Sequence, residues 1–154
     1  MRKLLFILLL LTGAAYGDVQ MKTTAVGEFS FEYPTVLELS NTTMGIFLES
    51  DFGFNGQISE ELVNWSSAEA LLKRKGVDKI ESFTINEIQI KAGTEKSDFD
   101  NSVTRIYMLT KNGNDALYIS FKWKEEKQLP AELSKQLKAT DLIALADLIV
   151  KSAK

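Results

Sequence analysis

Two neighbouring segments in the second half of the chain predict a β-hairpin that is buried on both faces. Segments 103–110 and 117–123 are rich in β-branched and aromatic residues, and Asn112–Asn114 between them has the composition of a tight turn. In the first segment both alternating sets of positions are apolar, as Tyr107 and Met108 illustrate. A strand that is apolar on both sides must be covered on both sides. We therefore expect an antiparallel β-sheet sandwiched between helices, an α/β/α architecture in the α+β class.

The apolar spacing of the chain predicts three helices for these two layers. Over residues 58–72, apolar residues recur every three or four positions, with Ser59 as an N-cap and Gly76 as a stop. Two more helices are predicted near the C-terminus, over 130–137 and 142–150. The helix over 142–150 carries apolar residues on two adjacent faces, so we expect it to be buried against the sheet.

Alternating or continuous apolar residues predict four further strands. They cover residues 29–33, 36–39, 44–48 and 83–90. Pro34 should end the first of them, and Ser40 and Asn41 should form the turn between the next two. In the last, the apolar residues change parity near Asn86 and Glu87, which indicates a bulge or a sharp bend.

The N-terminus has the organisation of an export signal. Two basic residues precede an unbroken apolar stretch over 4–11, and small residues occupy Ala15 and Gly17. The apolar stretch is much shorter than the roughly 20 residues that cross a bilayer as a helix. We therefore expect a signal peptide over 1–17 and a single domain over 18–154, which is periplasmic or secreted and has no membrane anchor after cleavage.

The chain contains neither cysteine nor histidine. This composition excludes disulfides, a thiol nucleophile, a Ser-His-Asp triad and any zinc centre built from cysteine or histidine. An exported domain of this kind must be held together by its core alone. Carboxylates, lysines, tyrosines and hydroxyls are the groups that remain for catalysis, and we expect no cofactor.

Charge limits the class of partner. Without residues 1–17 the chain has 16 basic and 21 acidic residues, a net charge near −5. Nucleic acids and anionic lipids attract basic surfaces, so neither is expected as the main partner. The sequence leaves the oligomeric state open.

Several segments, taken in chain order, resemble the PsbP-like superfamily. They are FSFEYP at 29–34, the predicted helix in the middle of the chain, IQIKAG at 88–93, RIY at 105–107 with LYISF at 117–121, and DLIVKS at 147–152. The resemblance covers nearly all of residues 18–154. It implies an α/β/α fold that serves mainly as a scaffold for binding other proteins, and it carries no catalytic motif.

Loop 51–56 is the main candidate for a binding surface. Phe52 and Phe54 share a parity and lie among glycines, so their rings should project to the same side of the chain. If they are exposed, they form one apolar patch for a partner protein. The alternative is that the rings fold inward and close one end of the core.

An oxygen-rich segment offers a weaker alternative site. Glu95, Asp98 and Asp100 carry hard oxygen ligands of the kind that Ca²⁺ and Mn²⁺ prefer. The segment lacks the glycine and the distal glutamate of an EF-hand, so a solvated loop is the competing interpretation.

Two interpretations of function remain open. The first is an exported, non-enzymatic module for protein binding or assembly, whose partner is another exported or envelope protein. The second is a small-ligand carrier or a carboxylate-based enzyme with an acidic cleft. That alternative requires acidic residues distant in sequence, such as Glu49, Glu87 and Asp98, to converge.

We predict that the exported protein begins at Asp18. Signal peptidases cut after small residues at the −3 and −1 positions, which Ala15 and Gly17 occupy here. N-terminal sequencing of protein recovered outside the cytoplasm tests this, and a retained segment 1–17 would contradict it.

Overall fold

A computed structural model describes residues 16–154, so the predicted signal peptide lies outside the described residues except for Tyr16 and Gly17. Its strands are β1 Met21–Val26, β2 Phe29–Pro34, β3 Glu38–Thr42, β4 Gly45–Glu49, β5 Asn55–Ser59, β6 Val63–Asn64, β7 Glu81–Ile85, β8 Ile88–Ser97, β9 Ser102–Thr110 and β10 Asp115–Lys124. Its helices are α1 Ala68–Arg74, α2 Ala131–Leu137 and α3 Leu142–Lys151, and a 3₁₀ turn at Trp65–Ser67 precedes α1. Within residues 16–154, no helix is long and apolar enough to cross a bilayer.

Seven strands form one antiparallel sheet in the order β3-β4-β5-β10-β9-β8-β7, and the short β6 makes an eighth strand by pairing with the start of β10. Strands β1 and β2 form a separate two-stranded hairpin. The predicted hairpin is confirmed as the pair β9 and β10, in which residues 102–109 pair with 117–124. This pair lies at the middle of the sheet.

Both faces of β9 are covered, as its apolar pattern predicted. Tyr107 and Leu109 belong to the larger core, which includes side chains of α2, α3 and the β1–β2 hairpin. Ile106 and Met108 belong to a smaller core on the opposite face, where they meet Leu72 of α1. Alternate residues of a strand point to opposite faces, so one strand contributes to both cores.

The predicted α/β/α sandwich is wrong. Strands account for 45% of the described residues and helices for 19%, so the protein is mostly antiparallel β-sheet. The three α-helices have seven, seven and ten residues, and a β-hairpin supplies part of the cover that we assigned to helices. The pattern of β9 requires cover on both faces, but it does not specify what kind of element provides it.

The predicted helix over 58–72 is also wrong for most of its length. Ile58 lies on β5, where it pairs with Ile119 in the sheet, and helix α1 begins only at Ala68. The apolar residues whose spacing suggested one helix lie on a strand, in a loop and on a short helix. The predicted stop is confirmed, since Gly76 follows α1 with a φ of 89°, a conformation that favours glycine.

The change of parity near Asn86 and Glu87 is a full chain reversal. Strands β7 and β8 form a hairpin in which Ile85 pairs with Ile88. Asn86 and Glu87 have φ values of 48° and 66°, as the central residues of a type I′ turn require. The single strand predicted over 83–90 is therefore two strands.

The turn between β3 and β4 lies further along the chain than expected. Ser40 and Asn41, which we predicted to form the turn, lie within β3. The turn falls at Thr43 and Met44, and the Thr42 hydroxyl accepts a hydrogen bond from the Met44 N–H at 3.1 Å. A hydroxyl in this position is a common way to stabilise a short turn.

A polar network around the buried Arg105 and Tyr107 joins α3 to the sheet. The guanidinium of Arg105 lies 2.5 Å from a carboxylate oxygen of Glu81 and 3.3 Å from one of Asp147. The hydroxyl of Tyr107 donates to the same Asp147. Burial, and then the bond to Asp147, raise the pKa of Tyr107 well above its ordinary value, so the phenol stays protonated and remains a donor.

The C-terminal residues 152–154 form hydrogen bonds along one edge of the β1–β2 hairpin, and we call them the C-terminal strap. Ser30 of β2 exchanges two backbone hydrogen bonds with Lys154, each 3.1 Å long, and the Glu32 N–H donates to the Ser152 hydroxyl at 2.8 Å. The outward N–H groups of Ser30 and Glu32 are thereby satisfied. The hairpin is held against the larger core by this strap and by its own buried side chains, among them Phe31.

We predict that Ile149→Ala lowers the free energy of unfolding by about 2 to 5 kcal/mol. Ile149 lies on α3 and is fully buried in the larger core, as the sequence predicted, so truncation leaves a cavity. Chemical denaturation measures the change. A loss below about 0.5 kcal/mol is typical of a surface position and would contradict this placement of α3.

Candidate functional site

A cleft of about 480 Å³ opens where the turns of two hairpins meet a loop of the sheet. The β1–β2 turn contributes residues 25–29, the β9–β10 turn contributes Asn112 and Asp115, and the loop after β5 contributes Glu60 and Leu62. We call this site the acidic cleft. Its volume lies within the range of ordinary ligand pockets.

The floor of the acidic cleft is apolar. Val26, Phe29 and Leu117 belong to the larger core and line the cleft, each with 6% or less of its surface exposed. Leu62 stands beside them with 52% of its surface exposed, so it is one of few large apolar side chains left in water. Exposed apolar surface next to a concave apolar floor is a feature of binding sites.

The rim of the acidic cleft carries three carboxylates. Glu28, Glu60 and Asp115 line it and are exposed to solvent. Lys111 lies nearby, but its ammonium donates to the backbone carbonyl of Glu28 at 2.6 Å and stands 5.1 Å above the ring of Phe29. None of the lining residues is basic, and the Lys111 ammonium is one positive charge against three carboxylates, so the cleft favours a positively charged group.

Local hydrogen bonds hold the turn that carries Asp115. The side-chain oxygen of Asn112 accepts from the backbone N–H groups of Asn114 and Asp115 at 2.8 and 3.0 Å. The hydroxyl of Thr110 donates to the Asp115 carbonyl at 2.7 Å. Asparagine favours this geometry in turns, which is why the sequence predicted a turn here.

The loop that carries Glu60 and Leu62 is held by weaker hydrogen bonds than the β9–β10 turn. The Glu60 N–H lies 3.5 Å from the carbonyl of Met44, and the Glu61 N–H donates to the Ser59 hydroxyl at 3.2 Å. Sequence reasoning missed this part of the site because it placed these residues on a helix. The signal that could have revealed it is the run from Ser59 to Glu61, in which three polar residues directly follow the apolar Ile58.

The predicted exposed patch of Phe52 and Phe54 is wrong. Phe54 has none of its surface exposed and stacks on Phe121 and Trp123, with ring centroids 5.1 and 5.8 Å apart. Phe52 is half-buried and lies 6.4 Å from the ring of Phe54. The rings share one side, as their parity indicated, but that side faces the core. Among residues 16–154, the large aromatic that is fully exposed is Phe99, at the turn between β8 and β9.

The residues of the weaker metal alternative do not form a joint site. No group of three or more acidic side chains within residues 16–154 is arranged to hold a metal ion. Asp100 is engaged by Ser102 at 2.5 Å and by Lys122 at 3.1 Å, and these bonds hold its pKa well below the usual range. Glu95 lies on β8, and Asp98 follows the end of that strand in the exposed turn.

The carboxylates of the enzymatic alternative are also apart. Glu87 directly precedes β8 and Asp98 directly follows it, so the ten residues of the strand separate them by about 33 Å. Glu49 lies at the end of β4, on the other side of the sheet's central pair. The three residues therefore do not share one cleft.

A second cleft of about 420 Å³ lies beside Trp123 and the start of α3. Its charged lining consists of Lys96 and Lys127 together with Glu125 and Asp141. Lys96 and Glu125 form an ion pair at 3.1 Å. The charges balance, so this cleft indicates no particular class of ligand.

No protein-family model matches the chain, and a comparison with the curated proteins finds no match. The resemblance to the PsbP-like superfamily therefore stays a prediction. Function has to be argued from the geometry and charge of the acidic cleft.

We predict that Phe54→Ala destabilises the protein by about 3 to 5 kcal/mol, because the ring fills a fully buried position between Phe121 and Trp123. Phe52→Ala is the matched control and should cost less than half as much, since its ring is only half-buried. Urea denaturation of both variants measures the difference. Equal losses would contradict the burial assigned to Phe54.

Proposed function

We propose that this chain is an exported, non-enzymatic protein that binds another exported or envelope protein through the acidic cleft. The observation that carries the proposal is the combination of a buried apolar floor, the exposed Leu62 and a rim of three carboxylates. An apolar anchor surrounded by polar groups is the arrangement that concentrates binding energy at protein interfaces.

The origin of the cleft supports a binding role. Its walls come from hairpin turns and a loop displayed at one end of a well-packed sheet. Loops on a rigid scaffold commonly carry recognition sites, because they vary in side chains without disturbing the core. The resemblance to the PsbP-like superfamily, which itself remains a prediction, implies the same kind of function.

We expect Leu62→Glu to reduce capture of the partner by about tenfold or more, because it places a charge on the apolar part of the site. Tagged protein is used to capture binders from the envelope or secretion fraction of the exporting organism, and the captured proteins are quantified by mass spectrometry. Leu62 is about half exposed, so the substitution should leave the fold intact. Circular dichroism confirms folding of each variant.

Phe99→Glu is the matched control. Phe99 is fully exposed, and the nine residues of β9 separate its turn from the turn of the acidic cleft by about 30 Å. This variant should capture the partner as the unsubstituted protein does. If it loses the partner while Leu62→Glu retains it, binding occurs at the β8–β9 turn and the proposed site is wrong. Enrichment of no protein above a tag-only control would contradict the binding function itself.

A further inference from the structure

We propose that the partner contributes an extended, basic segment, which pairs as an added strand with the free edge of β1 and places an apolar side chain in the acidic cleft. This inference rests on the proposed function, because it names the chemistry of the segment that the cleft would hold. It joins two features of the molecule that meet at residues 25–27, namely an unpaired strand edge and a cleft with a negative rim.

The first feature is the edge of β1. Within residues 16–154, strand β1 pairs with β2 alone, and Lys22, for example, is opposite Tyr33. The Thr35 N–H donates to the Gln20 carbonyl at 2.8 Å, so the hydrogen-bonded pairs continue at every second residue. By this alternation, the backbone N–H groups of Thr23 and Ala25 point away from β2.

These outward groups have no hydrogen-bond partner among residues 16–154. Thr23 and Ala25 are exposed, so water has free access to this edge. The opposite edge of the hairpin differs, since Ser30 and Glu32 are bonded to the C-terminal strap. An exposed row of unpaired N–H and C=O groups is a template for another strand.

The second feature is the position of the cleft at the end of this edge. Ala25, Val26 and Gly27 line the acidic cleft, so a segment that runs along β1 passes directly into it. Val26 pairs with Phe29, and both residues form part of the apolar cleft floor. Cross-strand neighbours lie on the same face of a sheet, so a residue opposite Val26 on an added strand would lie beside that floor. An apolar side chain fits this position.

The charge of the cleft limits which extended segments can bind there. Glu28, Glu60 and Asp115 surround the point where the added strand would end, and Glu61 is exposed next to them in the same loop. Lysine or arginine two residues from the apolar anchor would lie on the same face and pair with these carboxylates, whereas acidic residues there would be repelled. The segment that complements the site is therefore basic, with one aliphatic or aromatic anchor.

The probe is a fluorescein-labelled peptide of alternating lysine and valine residues in which a central lysine is replaced by leucine, so that the leucine and its nearest lysines lie on one face. Binding is followed by fluorescence anisotropy. A peptide with glutamate in place of lysine tests charge, and a lysine peptide N-methylated at alternate residues tests backbone pairing. We expect the lysine peptide to bind at least about tenfold more tightly than either control. Equal binding of the lysine and glutamate peptides would overturn the inference.

Two pairs of variants locate the binding on the protein. Thr23→Pro removes an outward N–H and should weaken lysine-peptide binding about tenfold, while Thr23→Ala keeps that N–H and should bind normally. Glu60→Lys should weaken binding about fivefold at low salt, and the deficit should shrink at high salt. Glu126→Lys makes the same change of charge in the exposed loop after β10 and should have little effect.

The outcomes separate this inference from the proposed function. If Leu62→Glu abolishes capture of the natural partner while Thr23→Pro leaves both capture and peptide binding unchanged, the cleft binds a partner but no strand is added. If sedimentation shows a dimer that Thr23→Pro disrupts and Thr23→Ala does not, the edge pairs with a second copy of the chain, and the inference is wrong. Thermal unfolding of each variant confirms that losses of binding are not losses of fold.

Discussion

The pairing of β9 with β10 is the interaction on which the rest of the structure depends. Eight consecutive residue pairs set one register, and each strand then contributes alternate side chains to two different cores. A shift by one residue would exchange Tyr107 with Met108 and send the polar contacts of Arg105 to the wrong face. Arg105 and Tyr107, both on β9, also bond to the partly exposed Asp147 and so connect α3 to the same strand.

The acidic cleft is a consequence of this central pair. The turn that follows β9 places Asp115 at one end of the sheet, and the β1–β2 hairpin reaches the same end because its side chains complete the larger core. The apolar floor of the cleft is therefore the edge of the larger core, of which only a small part is exposed among residues 16–154. The floor is rigid, because Phe29 and Leu117 are packed on their other sides, and a partner that binds there would not have to order it.

Local patterns allowed part of this structure to be predicted. The β9–β10 hairpin, the end of β2 at Pro34 and the burial of α3 each follow from neighbouring residues, through strand alternation, turn composition or helical spacing. The prediction of a helix over 58–72 was wrong because the helical spacing of its apolar residues was coincidental. Ile58 instead lies on a strand that pairs with β10. Phe54 was misplaced for a related reason, because the loop that seemed to display it is partly β5, a strand in the interior of the sheet.

The sequence by itself determined that the protein lacks thiol and imidazole chemistry, that its central strands are buried on both faces, and where the turn between β9 and β10 falls. These properties depend on residue identity or on contacts within a few positions along the chain. The tertiary structure alone decided that a hairpin helps the helices to cover the sheet, and that Glu28, Glu60 and Asp115 surround one cleft. Those residues are more than 30 positions apart in sequence, and only the pairing of distant strands brings them together, because no local pattern encodes which strands become neighbours.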